Sequence, residues 1–326
     1  MKKLRIPNTD LEVSSIIYGC MMIGGDWTAK PLDDAARKKA VSSVRAAIDA
    51  GITFFDTADI YCRGKSDEAF SRIWSEVPGL RSKIVLQTKA GIRFPDDPAK
   101  GDPTRYDFSY EHIMRSVEGS LNRLKTDYVD ILLLHRPDAL VEGEEVARAF
   151  DELHASGKVR YFGVSNHSTD QIEYLRRFVA QPFVANQLEL NILHSGLISA
   201  GVSVNQAFPP EPIHGQGTIE YCRLHSIMIQ AWSPLAKGRL SGSPSKNPTE
   251  RETKAAEAVA AMARKKGVPP EAILVAWLQR HPAHIQPVVG TTRPERIDAA
   301  CKGDEVSLSR EEWYTLFAAG RGAPMP

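Results

Sequence analysis

The chain has 326 residues, of which 42% are hydrophobic and 25% are charged, an ordinary composition for a folded globular protein. Its 41 Lys and Arg residues balance 40 Asp and Glu residues, so no overall basic charge predicts a nucleic-acid partner. No apolar run approaches the roughly 18 residues that a membrane span needs, and the N-terminus lacks the apolar core of a secretory signal, so we expect a cytoplasmic protein without a membrane partner.

Short runs of β-branched and aromatic residues alternate with longer segments of helical spacing along the chain. The N-terminal segment 3–14 places a turn between two apolar alternations, which predicts a hairpin that closes the floor of a barrel. The runs that follow predict strands at residues 15–19, 52–55, 83–87, 128–134, 159–164, 183–187, 227–231 and 285–289.

Helical spacing is clearest in three of the intervening segments. Residues 33–51 place apolar side chains on one face, and residues 109–124 repeat the pattern with Ser109 as the expected N-cap. Residues 143–158 follow the same pattern. This alternation predicts βα units around a parallel sheet. Because no G-x-G-x-x-G turn follows an early strand, a closed (β/α)8 TIM barrel is favoured over an open doubly wound sheet, with residues 1–326 as one domain.

Two segments do not fit the repeat. Residues 191–217, after strand six, are longer than an ordinary connection and are expected to form a substrate-side loop. Its histidines, His194 and His214, have no third ligand at a suitable spacing, so we interpret them as polar loop residues. Residues 321–326 are expected to form a short tail that is free to move. Scattered cysteines predict free thiols at Cys20, Cys62, Cys222 and Cys301.

Polar residues follow three consecutive predicted strands, where a barrel carries its catalytic groups. Asp56 and Tyr61 follow the second strand, Lys89 the third and His135 the fourth. Each could separately be a turn former, a packing residue or a solvated charge, but together they would meet over one barrel mouth. There the ammonium would lower the pKa of the phenol, the carboxylate would hold the ammonium, and the imidazole would orient a carbonyl. This predicts proton donation to a carbonyl that a cofactor reduces with hydride.

The order of these four residues, in the contexts FDTADIY, VLQTKAG and LLLHRPD, resembles the aldo-keto reductase superfamily. The resemblance extends from the N-terminal hairpin to about residue 300. It implies a (β/α)8 barrel that binds a nicotinamide cofactor without a Rossmann motif. It also implies that Tyr61 is the general acid/base, that Lys89 and Asp56 tune it, and that His135 orients the substrate.

The resemblance further implies a binding site for the cofactor. In RYFGVSN, Ser165 and Asn166 would hydrogen-bond the nicotinamide carboxamide together with Gln187. In IQAWSPLAKGRL, Trp232 would stack on the nicotinamide. The rest of that cofactor-binding loop, near the pyrophosphate, comprises Ser233, Pro234, Leu235, Lys237, Gly238 and Arg239.

PVVGTTRPERI resembles the family's last strand and phosphate-binding helix, and a glycine-led turn into a helix N-terminus suits a phosphate. Arg293 is expected to bind the 2′-phosphate and Arg296 to lie beside the adenine, which favours NADPH over NADH. Two solvated helix arginines are the alternative. Ala299 and Ala300 stand where many members have Glu-Asn, so adenine binding would depend more on the phosphate. The turn itself would bind cofactor through Gly290, Thr291 and Thr292.

The predicted function is an oxidoreductase that transfers hydride from NADPH to the carbonyl of an aldehyde or ketone, with a sugar-derived aldehyde among the candidates. The small-molecule substrate would contact Trp27, Tyr61 and His135. One alternative is a nicotinamide-binding, redox-sensing subunit with little turnover. Another is a metal-dependent barrel hydrolase or isomerase, which would need more carboxylate and imidazole ligands at the strand ends than Asp56 and His135.

Overall fold

The computed structural model describes residues 1–204, 206 and 215–326 of the chain. Its strands are β1 (Lys3–Arg5), β2 (Glu12–Ser14), β3 (Ile17–Gly19), β4 (Phe54–Asp56), β5 (Val85–Ala90), β6 (Ile92–Arg93), β7 (Arg105–Tyr106), β8 (Val129–Leu134), β9 (Val159–Ser165), β10 (Phe183–Glu189), β11 (Met228–Trp232) and β12 (Gln286–Val289).

Eight of these strands close into a parallel barrel in the order β3-β4-β5-β8-β9-β10-β11-β12, and β12 pairs with β3 to complete the circle. Every barrel strand overlaps one of the eight predicted runs. The closed (β/α)8 barrel is therefore confirmed, and the doubly wound alternative is wrong. The short strands β6 and β7 form a separate antiparallel pair after β5.

Helices follow the barrel strands and surround them. They are α1 (Asp34–Asp49), α2 (Lys65–Ser71), α3 (Ile73–Glu76), α4 (Tyr110–Leu124), α5 (Gly143–Ala155), α6 (Thr169–Leu175), α7 (Gly196–Val202), α8 (Thr218–Leu224), α9 (Glu250–Lys266), α10 (Pro270–Gln279), α11 (Pro294–Cys301) and α12 (Arg310–Arg321). Single 3-10 turns lie at Tyr61–Gly64, Arg81–Lys83, Ala236–Gly238 and Lys302–Glu305.

Helix α4 shows how the sequence specifies these elements. The Ser109 hydroxyl accepts a hydrogen bond from the backbone nitrogen of His112, which confirms the predicted N-cap. Ile113, Val117 and Leu121 are at most 6% exposed, so the predicted apolar stripe faces the core. The three helical segments predicted from their spacing correspond to α1, α4 and α5.

The N-terminal hairpin closes the barrel from below, as predicted. β1 and β2 pair antiparallel, with Leu4 opposite Val13. Ile6, Leu11 and Val13 are buried in the same apolar cluster as Phe54, at the start of β4. The hairpin therefore fills the N-terminal end of the barrel, which leaves the C-terminal ends of the strands free to form a site.

Both segments that do not fit the repeat include helical residues. The predicted 191–217 loop contains α7, so it is helical in part, while His214 lies outside the described residues. Within the predicted tail 321–326, Arg321 ends α12, is 3% exposed and donates hydrogen bonds to Ser203 Oγ and the Pro324 carbonyl. The four cysteines are free thiols, as predicted. None of the described helices is both long and apolar enough to cross a membrane.

Candidate active site

Four predicted polar side chains meet at the C-terminal end of the barrel. The ammonium of Lys89, in β5, lies 2.7 Å from both carboxylate oxygens of Asp56, the last residue of β4. It also donates to the Tyr61 hydroxyl and to the Thr57 carbonyl, each at 2.9 Å. The ring of His135, directly after β8, lies edge-on to the Tyr61 ring at a centroid distance of 5.8 Å. The strand ends thus bring the predicted tetrad into one cluster.

Burial decides the proton affinities of these groups. Desolvation raises the pKa of Tyr61, and the opposing effect of the Lys89 ammonium is too small to reverse the shift. The predicted lowering effect of the ammonium is present, but desolvation outweighs it, so the pKa of Tyr61 is raised overall. Desolvation acts against the charge on Lys89, but Asp56 and Tyr61 outweigh it and raise the pKa of the ammonium. Burial, Lys89 and Arg136 lower the pKa of His135 well below its ordinary value.

Tyr61 is carried by a turn with unusual backbone angles. Cys62 and Arg63 both have left-handed angles, with φ values of 49° and 59°, which are uncommon for residues with a side chain. The Cys62 thiol contacts the carbonyl of Met21, and Arg63 Nε donates to the carbonyl of Trp27 at 3.0 Å. The loop after β3 therefore holds the turn in a conformation that these residues would otherwise seldom adopt.

A cavity of about 630 Å³ opens in front of the tetrad. Most of the predicted site residues line it. They are Asp56, Tyr61, His135, Ser165, Asn166, Gln187, Trp232, Ser233, Pro234, Leu235, Lys237, Gly238, Gly290, Thr291 and Arg296.

Five predicted residues do not line the cavity. Lys89 is 1% exposed and reaches the site only through Tyr61 and Asp56. Trp27 is 40% exposed and packs edge-on against a neighbouring aromatic ring. The guanidinium of Arg239 lies 3.6 Å from a carboxylate of α9, which satisfies its charge away from the cavity. Thr292 and Arg293 begin the turn into α11 outside the cavity wall.

The cavity also has wall residues that the sequence reasoning missed. They are Gly19, Met21, Met22, Arg136 and Val288. Arg136 could have been found, because it directly follows His135 at the end of a barrel strand. Its guanidinium carbon lies 5.5 Å from the centre of the Trp232 ring, and no described residue forms an ion pair or hydrogen bond with it.

One part of the cavity wall is a fixed set of amide and hydroxyl groups. Trp232 Nε1 donates to Asn166 Oδ1 at 3.1 Å, and Asn166 Nδ2 donates to Ser165 Oγ at 2.8 Å. Ser165 Oγ in turn donates to the carbonyl of Gln187 at 2.8 Å. This chain of bonds orients polar groups beside an aromatic face, an arrangement that suits a planar ring carrying a carboxamide.

Another part of the wall is built from tight turns and cations. Ser233 and Lys237 have left-handed backbone angles, and a Cβ on Gly238 would lie 3.2 Å from Arg296 Nη1. Arg296 is held by the carbonyl of Ser241 at 2.6 Å and by a carboxylate at 3.4 Å. Close backbone approach together with arginine and lysine suits phosphate oxygens, so the residues present fit a dinucleotide cofactor.

Metal chemistry has a different requirement. Across residues 1–204, 206 and 215–326, no group of three or more His, Cys, Asp or Glu side chains could hold a metal ion. Asp56 is instead engaged by Lys89.

Comparisons with known proteins identify the family and the fold that the chain shares. The family model described as "Aldo/keto reductase family" matches residues 15–320. Oxidoreductase YcsN of Bacillus subtilis, an uncharacterized protein, is 37% identical over 97% of both chains. A 6-dehydroglucose reductase of Agrobacterium fabrum is 34% identical over 96% of both chains. The solved glycerol dehydrogenase AKR11B4 of Gluconobacter oxydans superposes with a TM-score of 0.80 at 26% identity, covering 99% of this chain and 97% of its own.

Proposed function

We propose that this chain, which belongs to the aldo/keto reductase family, transfers hydride from NADPH to the carbonyl carbon of an aldehyde, with Tyr61 as the general acid. Membership of the family makes the chain an oxidoreductase of carbonyl groups that uses a nicotinamide cofactor. The observation that carries the finer proposal is the hydrogen bond from Lys89 Nζ to the Tyr61 hydroxyl, at the wall of the cavity.

The direction of that hydrogen bond determines where the hydroxyl proton of Tyr61 points. An ammonium can only donate, so the Tyr61 oxygen accepts from Lys89. The hydroxyl proton of Tyr61 is then left to point towards the cavity that the side chain lines. Because burial raises the pKa of Tyr61, the hydroxyl is protonated at neutral pH and available as an acid. Once the proton has left, the Lys89 ammonium stabilises the phenolate.

His135 suits a different task. Its lowered pKa keeps the imidazole neutral at neutral pH, so it has no extra proton to transfer. A neutral imidazole still offers one N–H donor. We therefore assign it the orientation of the carbonyl oxygen beside Tyr61, which is consistent with the edge-on contact between the two rings.

The cofactor, when bound, supplies the hydride. Ser165, Asn166 and Gln187 would hold the carboxamide, and the ring of Trp232 would stack on the nicotinamide. Arg293 begins α11 as its N-cap residue, and we propose that it binds the 2′-phosphate that distinguishes NADPH from NADH. Arg296 would lie beside the adenine. The sugar-derived aldehyde is supported by the relative named 6-dehydroglucose reductase.

The experiment compares Tyr61→Phe with the wild type in the oxidation of NADPH by a panel of aldehydes. General acid catalysis contributes about 10²–10⁴-fold, so kcat is expected to fall by that factor while the cofactor Kd stays within about twofold. Tyr174→Phe, on the exposed face of α6, is the matched control and should leave both values unchanged. A Tyr61→Phe variant with the wild-type rate contradicts the assignment. Cofactor binding without reduction of any carbonyl would favour the redox-sensing alternative.

A further inference from the structure

Three glutamine side chains lie inside the barrel next to the tetrad. Gln87 is in β5, Gln187 in β10 and Gln230 in β11, and none is more than 2% exposed. Gln87 precedes Lys89 by two residues, so both side chains leave β5 on the same face. Gln187 and Gln230 stand opposite each other in the pairing of their strands. Buried amides need hydrogen-bond partners, and these three find theirs in one another and in Asp56.

The bonds within this glutamine layer have definite directions. Gln87 Nε2 donates to Gln230 Oε1 at 2.9 Å, and Gln230 Nε2 returns a bond to Gln87 Oε1 at 3.0 Å. Gln187 Nε2 donates to the same Gln230 oxygen at 2.9 Å. Gln87 and Gln187 also donate to Asp56 Oδ1, at 2.6 and 3.1 Å. Gln230 Oε1 and Asp56 Oδ1 thus each accept hydrogen bonds from both Gln87 and Gln187.

The layer fixes the carboxylate of Asp56. Its Oδ1 accepts from Lys89, Gln87 and Gln187, while Oδ2 accepts from Lys89. Three donors that converge on one oxygen leave no room for a proton there and prevent rotation of the carboxylate. The charge that Lys89 pairs with is therefore held in one orientation by two buried amides, of which Gln187 lines the cavity and Gln87 does not.

The layer also fixes the amide of Gln187. Its Nε2 is committed to two acceptors inside the barrel, and the same side chain lines the cavity. Its Oε1 is the part left to face a ligand. Gln187 therefore presents an acceptor, which suits the amino group of a carboxamide and not its oxygen.

We infer that Gln87 and Gln230 are positioning residues that hold the Asp56 carboxylate and the Gln187 amide in one hydrogen-bonded unit, so that the proton-transfer residues and the cofactor-binding amide are oriented together. Neither residue lines the cavity, so each acts through Asp56 or Gln187. The inference rests on the proposed function for the roles of those two residues.

Gln230→Met removes the shared acceptor while it keeps a similar volume. Gln187 can then turn its amide, so we expect the Kd of NADPH to rise three- to tenfold. Asp56 becomes less constrained and supports the Lys89 ammonium less well, so we expect kcat to fall about tenfold and the alkaline limb of its pH profile to move to lower pH. Gln87→Met should shift the pH profile with a smaller effect on Kd, because Gln87 bonds Asp56 but not Gln187.

Gln286→Met is the matched control. Gln286 is fully buried and stands opposite Gln230 in the next strand, but its Nε2 donates to the carbonyl of Ser14 at 2.7 Å. Losing this amide should lower stability and leave the pH profile and the Kd unchanged. Equal shifts in Gln286→Met and Gln230→Met, or an unshifted profile and Kd in Gln230→Met, would overturn the inference.

Two further readouts keep the test decisive. If Gln230→Met does not fold, Gln87→Met carries the test through its pH profile, and an unshifted profile in that variant also overturns the inference. If the wild type binds NADPH but reduces no aldehyde, the proposed function fails. The Kd of Gln230→Met against Gln286→Met then still tests the orientation of Gln187.

Discussion

Asp56→Asn should destabilise the barrel, and the size of the loss should depend on pH. The carboxylate and the Lys89 ammonium are 3% and 1% exposed and 2.7 Å apart. Removing one partner of a buried ion pair costs about 3–5 kcal/mol, because the other charge stays buried without compensation. The asparagine oxygen can still accept from Lys89 and the glutamine layer, which places the expected loss near 3 kcal/mol.

The sign of the pH dependence follows from Lys89. In the wild type its pKa is raised in the folded state, so the pair contributes stability that is fully present below the unfolded pKa of about 10.4. In Asp56→Asn the desolvation of Lys89 is no longer offset, so its folded pKa falls below the unfolded value. The unfolded state then binds the proton more strongly. The variant should therefore lose more stability at about pH 6 than at about pH 9.5.

Urea unfolding followed by circular dichroism measures this difference at both pH values. The double variant Asp56→Asn/Lys89→Met removes both charges of this pair, so at about pH 6 it should be more stable than Asp56→Asn, although it should be inactive. This separates folding from catalysis. A loss of the same size at both pH values, or one below about 1 kcal/mol, would refute the view that Lys89 is charged and desolvated beneath Tyr61.

Three further predictions concern other parts of the chain. Burial lowers the pKa values of His112 and His167 to about 4, so the unfolded state binds more protons than the folded state between about pH 6.5 and 4. The free energy of unfolding should therefore fall as the pH falls through that range, and a constant urea midpoint would contradict this. Gly24→Ala places a Cβ 2.6 Å from a backbone nitrogen of α2, beside the turn that carries the proposed acid. We therefore expect the free energy of unfolding to fall by about 1–3 kcal/mol and kcat to fall as well. Gly196→Ala has open space around its Cβ and should change neither value. Arg293→Ala should raise the Kd of NADPH about tenfold and leave that of NADH unchanged, and equal effects on both cofactors in a fluorescence titration would rule out a contact with the 2′-phosphate.

The sequence could predict the barrel because each strand run and each helix stripe is a local pattern. It could also bring the tetrad together, because the C-terminal ends of neighbouring parallel strands always meet at one edge. The partners of individual side chains could not be predicted in this way. Arg239 belongs to a cofactor-like motif, yet the packing of α9 brings a carboxylate within 3.6 Å of its guanidinium. No spacing in the sequence reveals that contact.

The net direction of the Tyr61 pKa shift could not be predicted from the sequence for a related reason. A lysine near a phenol lowers its pKa in water, and the sequence shows both residues but not the depth at which they are packed. In the structure, desolvation of Tyr61 outweighs the nearby ammonium. The glutamine layer was missed except for Gln187, because a lone glutamine in a strand usually indicates an exposed face. Only barrel closure brings Gln87 and Gln230 within 3.0 Å of each other.

Charged and uncharged groups lie at different depths in the site, so that the same cavity suits both proton transfer and phosphate binding. The ionised pair Lys89–Asp56 is buried, where it acts through hydrogen bonds and is shielded from salt and water. In front of it, Tyr61 and His135 are uncharged at neutral pH, because burial raises the pKa of one and lowers that of the other. In the proposed reaction, a proton would therefore leave Tyr61 towards a carbonyl without a mobile ion at the reaction centre. The cations that suit phosphates, Lys237 and Arg296, lie at the cavity wall, where water can hydrate them until a ligand binds.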